Sequence, residues 1–292
     1  MATTYLHSPH RSRERLLFYG PPGSHKTFNA LTVARAMRGP DVRLHVIDFD
    51  NSVTPWLETE FADLGIINEW NSETEPRGWD DTYADENGMV VLYHCDSWED
   101  YRLAIAQIID TASLDDLLLI DSGTHLWAKA TQWGVSKVMG VDMDEYLVDW
   151  FVKQKEAGKG GKEGQQALVS DGLYTPINAE WERHVTSLFT RPPCHLIVTA
   201  EAKELRSDGK DSKDIKGLYG EHGYKPDGQR SMGHKLRSVL LMTKGGMGQW
   251  WVTMVKDWGR EGDEGAWERE EVDDFPGQYL KGLAGWKTKI AK

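Results

Sequence analysis

The stretch FYGPPGSHKTFNA, Phe18 to Ala30, decides the fold that we expect for this chain. It nearly matches the phosphate-loop pattern G-x-x-x-x-G-K-[ST], with Gly20, Lys26 and Thr27 in register and His25 in place of the last glycine. The apolar run RLLFY precedes it, and TFNALTVARAM follows with apolar residues at helical spacing. The stretch is therefore predicted to be a loop between a buried strand and a helix.

Such a loop binds phosphate because backbone N–H groups and the N-terminus of the next helix form a concave, positive site. Lys26 would reach the terminal phosphates of a nucleotide, and the Thr27 hydroxyl would bind Mg²⁺. The predicted nucleotide contacts come from Gly20, Pro21, Pro22, Gly23, Ser24, His25, Lys26, Thr27 and Phe28.

His25 is the departure from the pattern. If this position needs a positive φ, a residue other than glycine costs about 1–2 kcal/mol there, although histidine is among the more tolerant residues. That cost is small beside the charge-assisted hydrogen bonds of a triphosphate, and Gly23 supplies flexibility nearby. We interpret the loop as a working variant, with a decayed site as the alternative.

Two acidic segments are candidates for the remaining chemistry. LLLIDS, Leu117 to Ser122, predicts a buried strand that brings Asp121 to the edge of the sheet where open α/β folds bind ligands. Asp121 is predicted to hold Mg²⁺ directly or through water, and an ordinary strand end is the alternative. In VIDFDNSVTP, Val46 to Pro55, Asp50 could orient or deprotonate the attacking water, or could simply form a turn beside Asn51.

Strands alternate with helices along the chain, which predicts an α/β fold with a parallel sheet covered on both faces. A helix capped by Ser97 is expected to extend through Ile109, and another to begin at Thr175-Pro176 and extend to Arg191. Two late apolar runs flank KGGMG and predict an antiparallel hairpin that extends the sheet. The predicted strands are 15–19, 42–49, 89–94, 117–120, 195–200, 236–242 and 249–255.

Composition favours a water-soluble globular protein, since 39% of the 292 residues are apolar and 27% are charged. No apolar run approaches the roughly 20 residues of a spanning helix, so a cytoplasmic location is expected. Cys95 and Cys194 are predicted to be buried reduced thiols. Core packing rather than base stacking is predicted for Trp127, Trp133, Trp150 and Trp181. A net charge of -12 argues against nucleic acid over the whole surface and permits local basic loops.

On these motifs and their order, the chain resembles the RecA-fold ATPases over residues 14–260, between an N-terminal segment of residues 1–13 and a C-terminal tail of residues 261–292. IDFDNSVTP resembles the family's strand whose acid activates water, which gives that role to Asp50 with one methylene less than the family's Glu. LLLIDS resembles its Walker B strand, which gives Asp121 to the metal.

The resemblance implies roles for three further residues. Glu201, at the end of HLIVTAEAK, falls where the family has a polar sensor of the γ-phosphate, and as an anion it would need to pair with Lys203. VTMVKDWGR resembles the late strand whose cations act on the neighbouring subunit's nucleotide, which indicates Lys256 and Arg260. The alternative for these two is an ordinary pair of edge-strand cations.

Two polar segments, Lys153 to Gly172 and Glu204 to Arg230, fall where RecA-like proteins have their DNA-binding loops. Cations there would neutralise phosphates and tyrosines would stack on bases; solvated surface loops are the alternative. The predicted DNA contacts are Lys159, Lys162, Arg206, Lys210, Lys213, Lys216, Tyr219, Tyr224, Lys225 and Arg230.

The small core most resembles the phage-encoded RecA-like ATPases linked to single-strand annealing and recombination. That resemblance implies ATP and Mg²⁺ as cofactors, single-stranded DNA as partner, and a ring or filament of identical subunits with ATP between them. It places the protein in the host cytoplasm. A hexameric helicase or packaging motor is one alternative, and a nucleotide-binding scaffold without hydrolysis is another.

Overall fold

The computed structural model describes residues 4–7, 13–39, 41–71, 88–156, 171–206, 211–246, 249–258, 270–271, 274–281 and 286–289. The strands are β1 Thr4–His7, β2 Arg15–Gly20, β3 Leu44–Asp48, β4 Ile66–Asn71, β5 Val90–His94, β6 Leu117–Asp121, β7 His195–Glu204, β8 Tyr224–Pro226, β9 Ser238–Lys244, β10 Trp250–Asp257, β11 Glu270–Glu271 and β12 Trp286–Lys289. The helices are α1 Lys26–Met37, α2 Thr54–Glu58, α3 Trp98–Thr111, α4 Gly123–Met139, α5 Met143–Glu156, α6 Asp171–Trp181, α7 Ser187–Thr190, α8 Lys213–Tyr219, α9 Met232–Lys235 and α10 Phe275–Lys281.

One mixed, mostly parallel sheet organises the chain, in the order β4-β5-β3-β6-β7-β2-β9-β10-β11. From β4 through to β9 in this spatial order, each strand is parallel to the next one. Strand β10 then pairs antiparallel with both β9 and β11. The predicted α/β class and the late hairpin are therefore confirmed.

Helices cover both faces of the sheet because side chains alternate along each buried strand. On β2, Leu17 and Tyr19 belong to one core cluster, which also contains residues of α3, α4 and α6. Leu16 and Phe18 belong to the other cluster, with residues of α1 and α10. A strand that is buried on both faces of the sheet needs apolar residues at consecutive positions, which explains its unbroken apolar run.

Several details of the sequence prediction hold. Ser97 caps α3, accepting a hydrogen bond from the Asp100 N–H while the Asp100 carboxylate accepts one from the Ser97 N–H. Cys95 and Cys194 are buried free thiols. Within the described part of the chain, no helix has the length and apolar character needed to cross a membrane.

Other details are wrong. Helix α6 begins at Asp171 rather than at Thr175, and Pro176 lies inside it. A proline in a helix removes one N–H bond, and the packing of Ile177 against Gly134 of α4 holds the segment helical around it. Residues 182–186 then form a π-helical turn before α7.

The segment from Trp56 to Gly65 is only partly helical, since α2 ends at Glu58 and a 3₁₀ turn spans Ala62–Leu64. The polar edge strand β4 was missed because IINEWN lacks an apolar run. Of the predicted loop Lys153 to Gly172, both ends are helical, and residues 157–170 lie outside the described ranges.

The two ends of the chain meet. Strand β1 pairs antiparallel with β12, with Thr4 opposite Lys289. Helix α10 lies against α1, and the ring of Phe275 contacts that of Phe18 edge to face at 5.3 Å. The tail predicted from residue 261 onward thus contains a helix that packs into the core.

Candidate functional site

The site is assembled at the carboxyl edge of four adjacent parallel strands, β2, β7, β6 and β3. Gly20 at the end of β2 is in register with Glu201 on β7, and Asp48 on β3 is in register with Asp121 on β6. Because parallel strands end at the same edge, residues from four distant sequence segments meet here.

The predicted loop between strand and helix is confirmed. Gly20 ends β2, and α1 starts at Lys26 after a turn in which Gly23 has φ 71° and His25 has φ 62°. A β-carbon at Gly20 would overlap the Met242 carbonyl oxygen, so only glycine fits at the end of this strand. His25 therefore has the left-handed conformation that its position in the pattern suggested.

The turn leaves a buried hydroxyl without a protein partner. Ser24 is 2% exposed, and its Oγ makes no hydrogen bond within the described part of the chain. Buried hydroxyls are normally satisfied, and an exception inside a glycine-containing turn suits a loop that receives oxygen anions.

The ammonium of Lys26 rests on its own loop, donating to the carbonyl oxygens of Gly20 at 3.1 Å and Pro21 at 3.2 Å. Burial lowers the pKa of Lys26, and the negative charges of Asp121 and Glu201 oppose that effect. Both carboxylates therefore lie near enough to act on this cation.

Asp121 is the buried acid of the site, and it is 4% exposed. Its Oδ2 accepts hydrogen bonds from Thr27 Oγ1 at 2.6 Å and from Ser52 Oγ at 3.3 Å, and its Oδ1 accepts one from Thr199. Burial raises the pKa of Asp121, and no described lysine or arginine forms an ion pair with it.

This donor set fits Mg²⁺, which prefers hard oxygen ligands and takes one or two carboxylates together with phosphates and water. The Thr27 hydroxyl and the Asp121 carboxylate already touch. Among the described residues, no group of three or more His, Cys, Asp or Glu could hold a metal without other ligands. A cation here would therefore need phosphate or water oxygens as well.

Asp50 lies on a tight turn after β3 that Asp48 organises. The buried Asp48 carboxylate accepts the backbone N–H groups of Asp50, Ser52 and Val53, and Asn51 has φ 57°. Burial is the main cause that raises the pKa of Asp48 to about 6.

The Asp50 side chain itself is 40% exposed, and its Oδ2 is 3.5 Å from Nδ1 of His125. Asp50 therefore forms part of a turn and also lies at the site, so a role in the turn and a role in orienting water are compatible. His125, Ser52 and Thr199 were missed from the sequence. Ser52 follows Asp50 by two residues, which is the one signal that could have indicated it.

Glu201 lies within β7, which extends to Glu204 rather than ending at residue 200, and it is in register with Gly20. Its proposed partner is wrong. Lys203 pairs with Asp227 at 3.3 Å instead, because β8 folds back on the end of β7 and brings Asp227 beside it. The Glu201 N–H donates to Thr124 Oγ1 at 3.0 Å, and its carbonyl accepts the Asp227 N–H.

Lys256 lies at the opposite edge of the sheet, because β10 is antiparallel to β9 and ends beside Ser238. Its ammonium donates to the carbonyl oxygens of Gly233, His234 and Leu236 and lies 4.2 Å from the Trp258 ring. Three bonds use all three ammonium hydrogens, so Lys256 caps α9 of its own chain. Arg260 lies outside the described residues.

The second basic segment forms an open cavity of about 280 Å³ beyond the end of β7, lined by Lys203, Arg206, Lys225 and Arg230 among others. Arg206, Lys213, Lys216, Tyr224 and Arg230 are exposed, whereas Lys225 forms an ion pair with Asp211.

Tyr219 was predicted to stack on bases, and that prediction is wrong. It is 1% exposed and packs edge to face on Tyr19, because α8 turns it into the core. Lys159, Lys162 and Lys210 lie outside the described residues.

Comparison with models of known protein families gave no match, and a search of curated proteins gave none either.

Proposed function

We propose that this chain is a RecA-like ATPase that binds MgATP at the loop Gly20 to Thr27 and hydrolyses it. The observation that carries the proposal is the 2.6 Å hydrogen bond between Thr27 Oγ1 and Asp121 Oδ2. It joins a hydroxyl at the start of α1 to the buried carboxylate of a strand that is not adjacent to β2. These are the two protein oxygens that a magnesium ion shared with a triphosphate would require.

Each residue then has a separate task. The loop amides and the N-terminus of α1 hold phosphate oxygens, and Lys26 exchanges two carbonyl partners for the terminal phosphates. Mg²⁺, when bound, neutralises charge on the transferred group. Asp121 is suited to that cation because it is buried without an ion pair among the described residues, so a cation would relieve its desolvation.

Asp50 orients the attacking water in this proposal. It is partly exposed beside the buried acid, and its Oδ2 is 3.5 Å from Nδ1 of His125, which also contacts Ser122 Oγ at 3.0 Å. The turn organised by Asp48 fixes where the Asp50 carboxylate lies. The negative charge of Glu201 opposes the effect of burial on the pKa of Lys26, so in this proposal Glu201 keeps that lysine protonated rather than contacting phosphate.

We also propose single-stranded DNA as partner, with annealing or recombination as the activity, and an oligomer with nucleotide between subunits. Exposed Arg206, Lys213, Lys216, Tyr224 and Arg230 support a DNA surface, since they combine cations with one aromatic face. Arg206 follows β7, the strand that carries Glu201, and Tyr224 begins β8, which pairs with β7. DNA would therefore bind beside the strand that reaches the nucleotide site.

Phosphate release measured with and without Mg²⁺ and single-stranded DNA tests the proposal. We expect Mg²⁺-dependent release that DNA stimulates, and a loss of about 100-fold or more in Lys26→Ala and in Asp121→Asn. Lys137→Ala is the matched control, since this exposed lysine lies in the last turn of α4, at the end remote from Asp121.

Other outcomes would revise or contradict the proposal. Tight MgATP binding without phosphate release would favour the nucleotide-binding scaffold, and DNA translocation coupled to turnover would favour a motor. Failure of saturating MgATP to release heat or shift the melting temperature would contradict nucleotide binding altogether.

A further inference from the structure

The backbone of His25 is unusual for its residue type. It has φ 62° and ψ 28°, a left-handed conformation in which a β-carbon crowds the following carbonyl oxygen. The side chain makes no capping hydrogen bond to α1, although His25 is the residue that precedes the helix. The backbone carbonyl of His25 accepts hydrogen bonds from Asn29, so any support that the imidazole adds to this turn comes from a contact other than a cap.

That contact is a stack on Trp250. The two ring centroids are 3.4 Å apart with 24° between the planes, and both residues are half-buried. Phe28 lies 5.3 Å from the imidazole and Trp56 lies 6.4 Å from it, which closes an aromatic group around the loop.

Trp250 is held in place by the hairpin. It begins β10 directly opposite Lys244, the last residue of β9, and the Lys244 ammonium lies 5.4 Å from the indole. Strand β9 is parallel to β2, with Tyr19 opposite Leu241, so the hairpin end reaches the same edge as the loop. The sheet thus sets the distance between Trp250 and the loop.

We propose that Trp250 is a positioning residue of the nucleotide site: by stacking on His25 it holds the loop in the left-handed turn that phosphate binding requires. A non-glycine residue disfavours that turn by roughly a factor of 5 to 30, and a good aromatic pair offsets part of this by a factor of roughly 2 to 13. The inference rests on the proposed nucleotide binding, and it makes the late hairpin part of the site.

A cycle of substitutions at the two positions tests it. Trp250→Ala should raise the KM for MgATP, and the Kd for MgADP measured by calorimetry, by about tenfold with little change in kcat, because the loop binds ground and transition states alike. In a His25→Gly background the same exchange should change KM by less than about twofold, because glycine adopts this turn without a stack. Trp250→Phe should restore most of the affinity.

Trp251→Ala is the matched control, because it removes the same side chain from the next position, which faces the other side of the hairpin. An equal loss from Trp250→Ala in the wild-type and His25→Gly proteins would overturn the inference, as would a loss in Trp251→Ala of the same size.

A measurement without nucleotide separates this inference from the proposed function. In chemical denaturation, Trp250→Ala should lower the midpoint more in the wild-type protein than in His25→Gly. If MgATP does not bind but this coupling is present, the proposed function fails and the stack still holds the turn. Additive midpoints in the four proteins would show that His25 and Trp250 do not support each other.

Discussion

Three carboxylates at the sheet edge that carries the loop differ sharply in their surroundings. Asp121 is buried and accepts hydrogen bonds from three hydroxyl groups. Asp48 is buried and accepts hydrogen bonds from three backbone N–H groups, whereas Asp50 is partly exposed. Asp121 is consequently suited to a cation and Asp50 to a water molecule. Asp48 is suited to neither, and its contacts make it the residue that shapes the turn.

Asp48 should make the free energy of unfolding depend on pH. Its pKa rises from 3.8 when unfolded to about 6 when folded, mainly through burial, so the folded state binds the extra proton. The stabilisation of the folded state by this proton is therefore greatest at low pH and is lost as the pH rises through about 6. Relative to Asp48→Asn, the wild-type protein should lose up to about 3 kcal/mol of unfolding free energy between about pH 4 and pH 7.

Urea denaturation at a series of pH values measures this difference. Asp110→Asn serves as control, since Asp110 is an exposed residue on α3, and its profile should stay parallel to that of the wild-type protein. A wild-type protein that gains stability over Asp48→Asn with rising pH would contradict the assignment.

At the scale of elements, α4 shows how packing overrides helix propensity. Ser122 caps its start, and Gly140 with φ 72° ends it. In its middle, Gly134 lies against Ile177 of α6 so closely that a β-carbon would overlap that side chain. The two helices approach each other because this residue has no side chain.

Two glycine exchanges should therefore have opposite effects. Gly134→Ala should lower the free energy of unfolding by about 1–3 kcal/mol despite the better helix propensity of alanine, because it overpacks the contact with α6. Gly217→Ala, in α8 with no neighbour near the added carbon, should raise it by about 0.5–1 kcal/mol.

Chemical denaturation of both variants beside the wild-type protein gives these values. A stabilised Gly134→Ala protein would show that α4 and α6 do not pack at the described distance.

At the scale of the whole molecule, a chain with net charge -12 presents a local group of exposed cations near the end of β7. The acidic total does not prevent nucleic-acid binding, since screening limits each charge to about 10 Å at moderate salt. Affinity would then depend on the local cations and on salt.

Arg206→Ala and Arg230→Ala should each weaken binding of labelled single-stranded DNA, because each removes an exposed cation from the cavity rim. Each should also reduce the slope of log affinity against log salt by about 0.7. Fluorescence anisotropy at several salt concentrations measures both quantities.

Arg183→Ala is the control for charge alone, as Arg183 is exposed on the π-helical turn away from the cavity. If all three variants have the same affinity and slope as the wild-type protein, the DNA surface lies elsewhere.

Much of the sheet could be predicted from the sequence, because buried parallel strands such as LLLI and the glycine-containing loop leave strong local patterns. The edge strand β4 and the start of α6 could not, since a polar edge strand has no apolar run and packing keeps Pro176 inside a helix. Likewise Asp121 and the loop were predictable as motifs, whereas Thr199 and His125 gave no local signal.

The sequence by itself determined the central buried strands of the sheet, the loop between β2 and α1, and the positions of its acids along the chain. Only the tertiary structure decided which residues meet. In the structure, Lys203 pairs with Asp227 and Tyr219 is buried in the core. Lys256 caps α9, and Trp250 stacks on His25. The physical reason is that periodicity and turn chemistry act between neighbours in the chain, whereas side-chain partners depend on strand order and register, which bring together residues more than 200 positions apart.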